Sequence, residues 1–144
     1  MDSAGMEGAG AARQVVRDAE EYLQRVVAEV MAPHPAECVL CYIARMLDEH
    51  GCDETLRWAG RFRELRSPRA TALESRMQAA GGFCDCEVFS NGYRLRREHL
   101  ERDIHTDELR EPDRPPTCAG VGRLDSTKPC TVWESRRRRS PGCW

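Results

Sequence analysis

Apolar side chains recur along the first two-thirds of this chain with helical spacing, and proline or glycine interrupts them at short intervals. Val16, Ala19, Leu23, Val26 and Val30 follow one another at steps of three and four, a single stripe that predicts a helix from Ala11 to Met31. Arg17, Glu21 and Arg25 fall on its other faces. Pro33-His34-Pro35 ends it, because proline lacks an N–H and disfavours helix just before it. A second helix is expected from about Ala36 to His50, with Leu40, Ile43, Ala44 and Leu47 on its apolar face and Gly51 just beyond its end. Asp53 is placed to cap a third helix carrying Leu56, Trp58, Phe62 and Leu65. Ser67-Pro68 opens a fourth, with Leu73, Met77 and Ala80 as its stripe and Gly81-Gly82 as its stop.

The period then changes. Phe83 to Phe89 reads as a strand, Asn91-Gly92 as a turn and Tyr93-Arg94-Leu95 as a second strand. Residues 96–111 are so charged that only Leu100, Ile104 and Leu109 remain to pack, which predicts a solvated helix laced by i,i+4 pairs such as Glu98 and Arg102. Beyond Pro112 the pattern is lost among prolines and the run Arg136 to Arg139. The expected organisation is a disordered stretch at 1–10, a helical metal-binding domain at 11–95, a charged helix at 96–111 and a disordered basic tail at 112–144. The fold class is mostly α: a small helical domain with a short β-hairpin or strand carrying a C-x-C zinc knuckle.

Composition sharpens this picture in two ways. Charged residues make up 32% of the 144. No apolar run approaches the ~20 residues of a membrane span. The first ten residues also lack the basic and apolar regions of an export signal. The expectation is a cytoplasmic protein without membrane contact, in which thiols stay reduced and clustered cysteines point to metal or catalysis rather than disulfides. The body is acidic and the tail basic: residues 1–110 carry a net charge of −5 and residues 111–144 of +3. An acidic body excludes general nucleic-acid binding, which needs a basic face. Only Arg136 to Arg139 suits phosphate.

Eight cysteines carry the candidate chemistry. Cys38-Val39-Leu40-Cys41 is a C-x-x-C at a helix start, where both sulfurs share one side and the helix terminus favours thiolate. Cys84-Asp85-Cys86 is a C-x-C whose sulfurs share a face if the segment is extended, which leaves Asp85 and Glu87 on the opposite, solvent-exposed face. Two thiolates from each make a tetrahedral zinc site with ~2.3 Å bonds, contributing on the order of 10 kcal/mol to folding. The expected ligands are therefore Cys38, Cys41, Cys84 and Cys86. His34, four residues before Cys38, is an alternate, and so are Cys52 and, through a carboxylate oxygen, Glu54. Cys41 and Cys52 would stand roughly 16 Å apart along a continuous helix, so they cannot share an ion. Cys118, Cys130 and Cys143 lack close spacing and receive no metal role. Four thiolates leave no open position for substrate, no phosphate loop or nucleophile–base pair is visible, and the chain reads as a non-enzyme with a structural zinc.

Two resemblances bear on this reading. The stretch Gly81-Gly82-Phe83-Cys84-Asp85-Cys86-Glu87-Val88, preceded by Cys52-Asp53-Glu54-Thr55-Leu56-Arg57, resembles a bacterial family labelled domain of unknown function 2695, over roughly residues 34–95. The family label implies no activity. In members with histidine where this chain has Glu54, the resemblance implies a C-x-H plus C-x-C metal site, which maps here to Cys52, Cys84 and Cys86. Glu54 is a poorer partner for thiolates, and Cys38 and Cys41 supply two sulfurs in its place. The second resemblance is of His34, Cys38 and Cys41, after an amphipathic helix, to zinc-binding anti-sigma factors. It implies a zinc-thiolate redox-sensing regulator. The reading of the whole is an uncharacterised small bacterial protein with a structural zinc, working as a protein-interaction module with another protein as partner.

Overall fold

In a computed structural model, residues 3–136 are described, with side chains from residue 8. Arg137 to Arg139, Cys143 and Trp144 lie outside the described residues, and so does most of the basic run. The chain divides into two compact units, residues 1–32 and 33–144.

The first unit is one helix, α1 (Ser3–Val30). It begins eight residues before the expected start, so the segment expected to be disordered is helical from Ser3 onward. Alanine and glutamate among its early residues tolerate helix well, and the three glycines there, Gly5, Gly8 and Gly10, cost only about 1 kcal/mol each. Val16, Leu23, Val26 and Val30 are exposed along it.

The second unit is built on α2 (Val39–His50), α3 (Arg57–Arg66) and α4 (Leu73–Ala79). Helix α2 packs on α3, and α3 on α4. Their inward faces supply Leu40, Tyr42, Ile43, Met46, Trp58, Phe62, Leu73 and Met77, all essentially buried. Each large side chain contributes roughly 1.5–3 kcal/mol by leaving water. Leu65, expected in this core, is 52% exposed. Trp58 also donates its indole N–H to the Gly51 carbonyl at 3.0 Å, joining the end of α2 to α3. Gly51 takes φ +79°, the left-handed turn that ends α2.

Helix α4 stops at the expected glycines by a Schellman closure. Gly81 N–H bonds to Gln78 O at 2.9 Å, and Gly82 N–H to Met77 O at 2.8 Å. Any Cβ on Gly82 would stand 2.8 Å from a Val88 methyl, so only glycine lets the next segment fold back this tightly.

That next segment is not the expected strand. Asp85–Glu87 is a single helical turn, α5, and a wide turn over Val88–Gly92 continues it. Strand β1 (Tyr93–Leu95) appears where expected, but its partner is distant: β4 (Trp133–Ser135), with Leu95 opposite Trp133. The charged residues after 96 form no long helix. A 3-10 turn at Arg97–His99 leads to a two-stranded ladder of β2 (Glu101–Arg102) and β3 (Leu109–Arg110).

The segment after Pro112, expected to be disordered, is tied to the helical core. Val121 N–H bonds to Ala36 O, Arg66 Nε to Leu124 O, and Ser67 Oγ to Asp125 O at 2.6 Å. Cys130 and Val132 are buried. Backbone hydrogen bonds and cysteines hold this stretch, so its apolar content understated its order. Among the described residues no helix is long and apolar enough to cross a membrane.

Candidate metal centre

Four sulfurs from three parts of the chain meet at the start of α2. Those of Cys38, Cys41, Cys118 and Cys130 all lie within 4.8 Å of one another. Cys41 and Cys130 are 3.7 Å apart. Tetrahedral bonds of ~2.3 Å place sulfurs about 3.8 Å apart, whereas a disulfide needs about 2.05 Å. All four are free thiols. Cys38 and Cys130 are buried and the other two partly so.

Each sulfur receives N–H groups. Cys41 N–H donates to Cys38 Sγ at 3.3 Å, which makes Cys38 the cap of α2. Cys118 Sγ accepts from the N–H of Cys38 and of Gly120, both at 3.3 Å. Backbone groups of Val132 and Ala119 bond to Cys130. The Trp133 indole donates to Cys41 Sγ at 3.3 Å. Such donors orient sulfur ligands and spread thiolate charge. Negative charge settles on Cys38: its hydrogen bond with Cys41 outweighs burial and draws its thiol down to about 5. That same bond, with burial and the Cys38 charge, pushes the Cys41 thiol up. Burial raises Cys130 too, aided by the Cys38 charge. A cation held by the four sulfurs would relieve this crowding by keeping all of them as thiolates.

The cluster differs from the expected one in half its members. Cys84 and Cys86 do not join Cys38 and Cys41; their places are taken by Cys118 and Cys130, which spacing alone had left without a role. The eleven residues between Cys118 and Cys130 hide the pair from a search for short C-x-C patterns. The available signal was local: Cys118-Ala119-Gly120 and Cys130-Thr131-Val132 are tight turns that return an N–H to the sulfur two residues back. His34 stays outside. Its side chain is 65% exposed and lies 3.9 Å from Glu37.

Glu37, next to Cys38 in the chain, is nearly buried. Its carboxylate accepts from Arg45 Nε at 3.0 Å, Arg45 Nη2 at 2.8 Å and the His34 N–H at 3.0 Å. Burial works to raise this carboxyl, but the Arg45 and His34 contacts prevail and hold it below its usual value.

Cys84 and Cys86 lie instead near Cys52, on a turn whose Asp85 N–H bonds to Thr55 O at 3.1 Å. Asp85, between them, is fully buried rather than a solvent-facing strand residue. Its carboxylate accepts from Trp58 N–H at 2.9 Å and Ala59 N–H at 3.2 Å, capping α3 from outside the helix. Asp53, the expected cap, accepts instead from Thr55. Burial raises the Cys52 thiol, yet the N–H groups of Cys86 and Glu54 and the thiols of Cys86 and Cys84 leave it lowered overall. The bond with Cys52, with burial, pushes Cys86 up to about 11. Glu54 is exposed, takes φ +69° and touches Cys52 through its backbone N–H at 3.4 Å.

Comparison with known proteins agrees with the resemblance seen in the motifs. Residues 39–91 match the family described as Protein of unknown function (DUF2695). The uncharacterized proteins Mb2294 of Mycobacterium bovis and Rv2271 of Mycobacterium tuberculosis are each 32% identical to this chain over 84 residues, covering 56% of it and 85% of their own length. This chain belongs to the DUF2695 family. No solved structure matches it. Of the four clustered cysteines only Cys41 falls inside the family match, whereas Cys52, Cys84 and Cys86 all do.

Proposed function

We propose that this protein is a structural-zinc module that works by binding another protein, and that it is not an enzyme. The observation that carries the reading is the four-sulfur cluster with an N–H donor on every sulfur. Sulfur-only donors at this spacing suit zinc better than harder cations, which take oxygen. Cys38, Cys41, Cys118 and Cys130 would hold the ion, which supplies cross-linking between the core and the segment after Pro112. All four positions are filled by protein, which leaves none for substrate.

The apolar stripe Val16, Leu23, Val26 and Val30 along α1 supports a protein partner, because aligned apolar side chains of this kind gain from being covered. The redox-regulator reading drew on His34, and His34 stands apart from the sulfurs. Native mass spectrometry of the full chain tests the zinc. One ion should be lost when Cys118 or Cys130 becomes serine, and an unchanged count overturns the assignment. A photo-crosslinker at Leu23 tests the interaction. It should trap one protein species, lost when Val16 and Val26 become glutamate; no adduct above background contradicts the role.

A further inference from the structure

A cleft of about 520 Å³ opens beside the β1–β4 pair, and Arg96 forms part of its wall. The backbone of Arg96 is fixed from two sides. Its N–H bonds to Val132 O at 2.9 Å, just before β4, and its carbonyl accepts the His99 N–H at 3.0 Å. The guanidinium is not so well provided for. Its Nε is buried and has no hydrogen-bond partner among the described residues. A buried donor without an acceptor is costly, and native folds leave few of them.

No neighbour takes up its charge. Glu134 shares the cleft, but its carboxylate is held by Arg94 Nε at 2.9 Å. Among the described residues no carboxylate lies within ion-pair reach of Arg96. Arg136, at the far end of the ladder, spends its Nε on the carbonyls of Phe89 and Tyr93. Arg96 is thus the guanidinium of this cleft with a donor to give. The remaining wall suits a molecule with an apolar body, since it includes Trp133 and Pro129 beside the hydroxyl-bearing Tyr93 and Thr131. The size is that of a small-molecule site, ~300–1,000 Å³.

We propose that this cleft binds a small organic carboxylate, its acid group on the Arg96 guanidinium and its carbon skeleton against Trp133 and Pro129. A guanidinium offers Nε–H and one Nη–H in parallel, a fork that matches the two oxygens of a carboxylate. The orphaned atom, Nε, is one arm of that fork. Glu134 sets the charge of the ligand. A carboxylate brings one negative charge to its side, whereas a phosphate monoester brings about −1.5 to −2, more than one guanidinium offsets. Every residue of the cleft lies beyond positions 39–91, so the family match does not cover it.

Nitrogen-15 NMR of the full chain tests the site, with benzoate as the probe. The reporters are the Arg96 Nε–H signal, identified by its loss in Arg96→Lys, and the Trp133 indole N–H. Benzoate should move the Arg96 signal to lower field and saturate it, with a dissociation constant of about 1 mM. Benzamide, its neutral counterpart, should leave the Arg96 signal in place, and phenyl phosphate should bind more weakly than benzoate. Arg96→Lys keeps the charge but loses the fork, so benzoate read at Trp133 should bind at least about tenfold more weakly. Amide signals otherwise matching wild type confirm that this variant folds. No saturation by benzoate at tens of millimolar, an equal shift with benzamide, or unaltered affinity in Arg96→Lys overturns the site. Phenyl phosphate binding as tightly as benzoate overturns the assignment to a carboxylate.

Discussion

The sulfurs of Cys41 and Cys130 stand 3.7 Å apart although 89 positions separate the two residues. One lies in the first turn of α2 and the other just before β4. Their meeting draws the C-terminal segment onto the helical core, where apolar burial alone gives it little hold. Two further cysteines complete the junction, and β4 pairing with β1 delivers Trp133 to it.

Trp133 gives the first prediction. Its indole N–H on Cys41 is a directed contact on a metal ligand, and its ring also lies 4.9 Å from Phe89. Trp133→Phe keeps the ring contact and deletes the N–H. Zinc affinity in a competition titration should fall about 10- to 100-fold. An unchanged affinity would mean that the indole serves packing alone.

Asp85 gives the second. It satisfies two N–H groups at the start of α3 from a buried position. Asp85→Ala leaves both without partners and should cost about 1–3 kcal/mol in denaturant unfolding. Asp85→Asn keeps one acceptor oxygen and should cost less. An alanine variant as stable as wild type would show that the two N–H groups find other partners.

The outline of the fold was legible in the chain, and the site only in part. Helices α2, α3 and α4 and the stop at Gly81-Gly82 follow from stripes and breakers that act over a few residues. Cys38 and Cys41 follow in the same way, as a pair one helical turn apart. Their partners do not, because Cys118 and Cys130 reach them through long-range hydrogen bonds such as Val121 to Ala36, which leave no periodic trace. Asp85 misled for a related reason. Alternation in Cys84-Asp85-Cys86 suggests a strand with the acid facing water, yet the α3 amide groups 26 and 27 positions away draw the acid inward.

Glu37 gives the third prediction. Its side chain is 8% exposed and that of Arg45 20%, so the pair is shielded from water. Glu37→Gln should destabilise the chain by about 1–3 kcal/mol near neutral pH. The folded carboxyl lies below its ordinary value of 4.5, so this contribution is fully present above that pH and is lost as pH falls through the folded value. The gap between wild type and variant should therefore narrow in acid. A gap that widens below pH 4.5 would contradict the pairing.

Metal removal gives the fourth. Strong chelation of the full chain should release the segment after Pro112 from the core, since zinc binding contributes on the order of 10 kcal/mol to folds of this kind. Hydrogen exchange should then rise most over residues 115–135, while α1 exchanges as before. Uniform protection throughout would show that the sulfurs do not hold the segment.

X-ray absorption at the zinc edge tests the central claim most directly. The sample is the full chain loaded with one equivalent of zinc, for which the expected site is the cluster of Cys38, Cys41, Cys118 and Cys130. The expected result is a shell of four sulfurs at about 2.3 Å. A shell with nitrogen or oxygen in place of any sulfur, or one unchanged when Cys130 is replaced by serine, would contradict it.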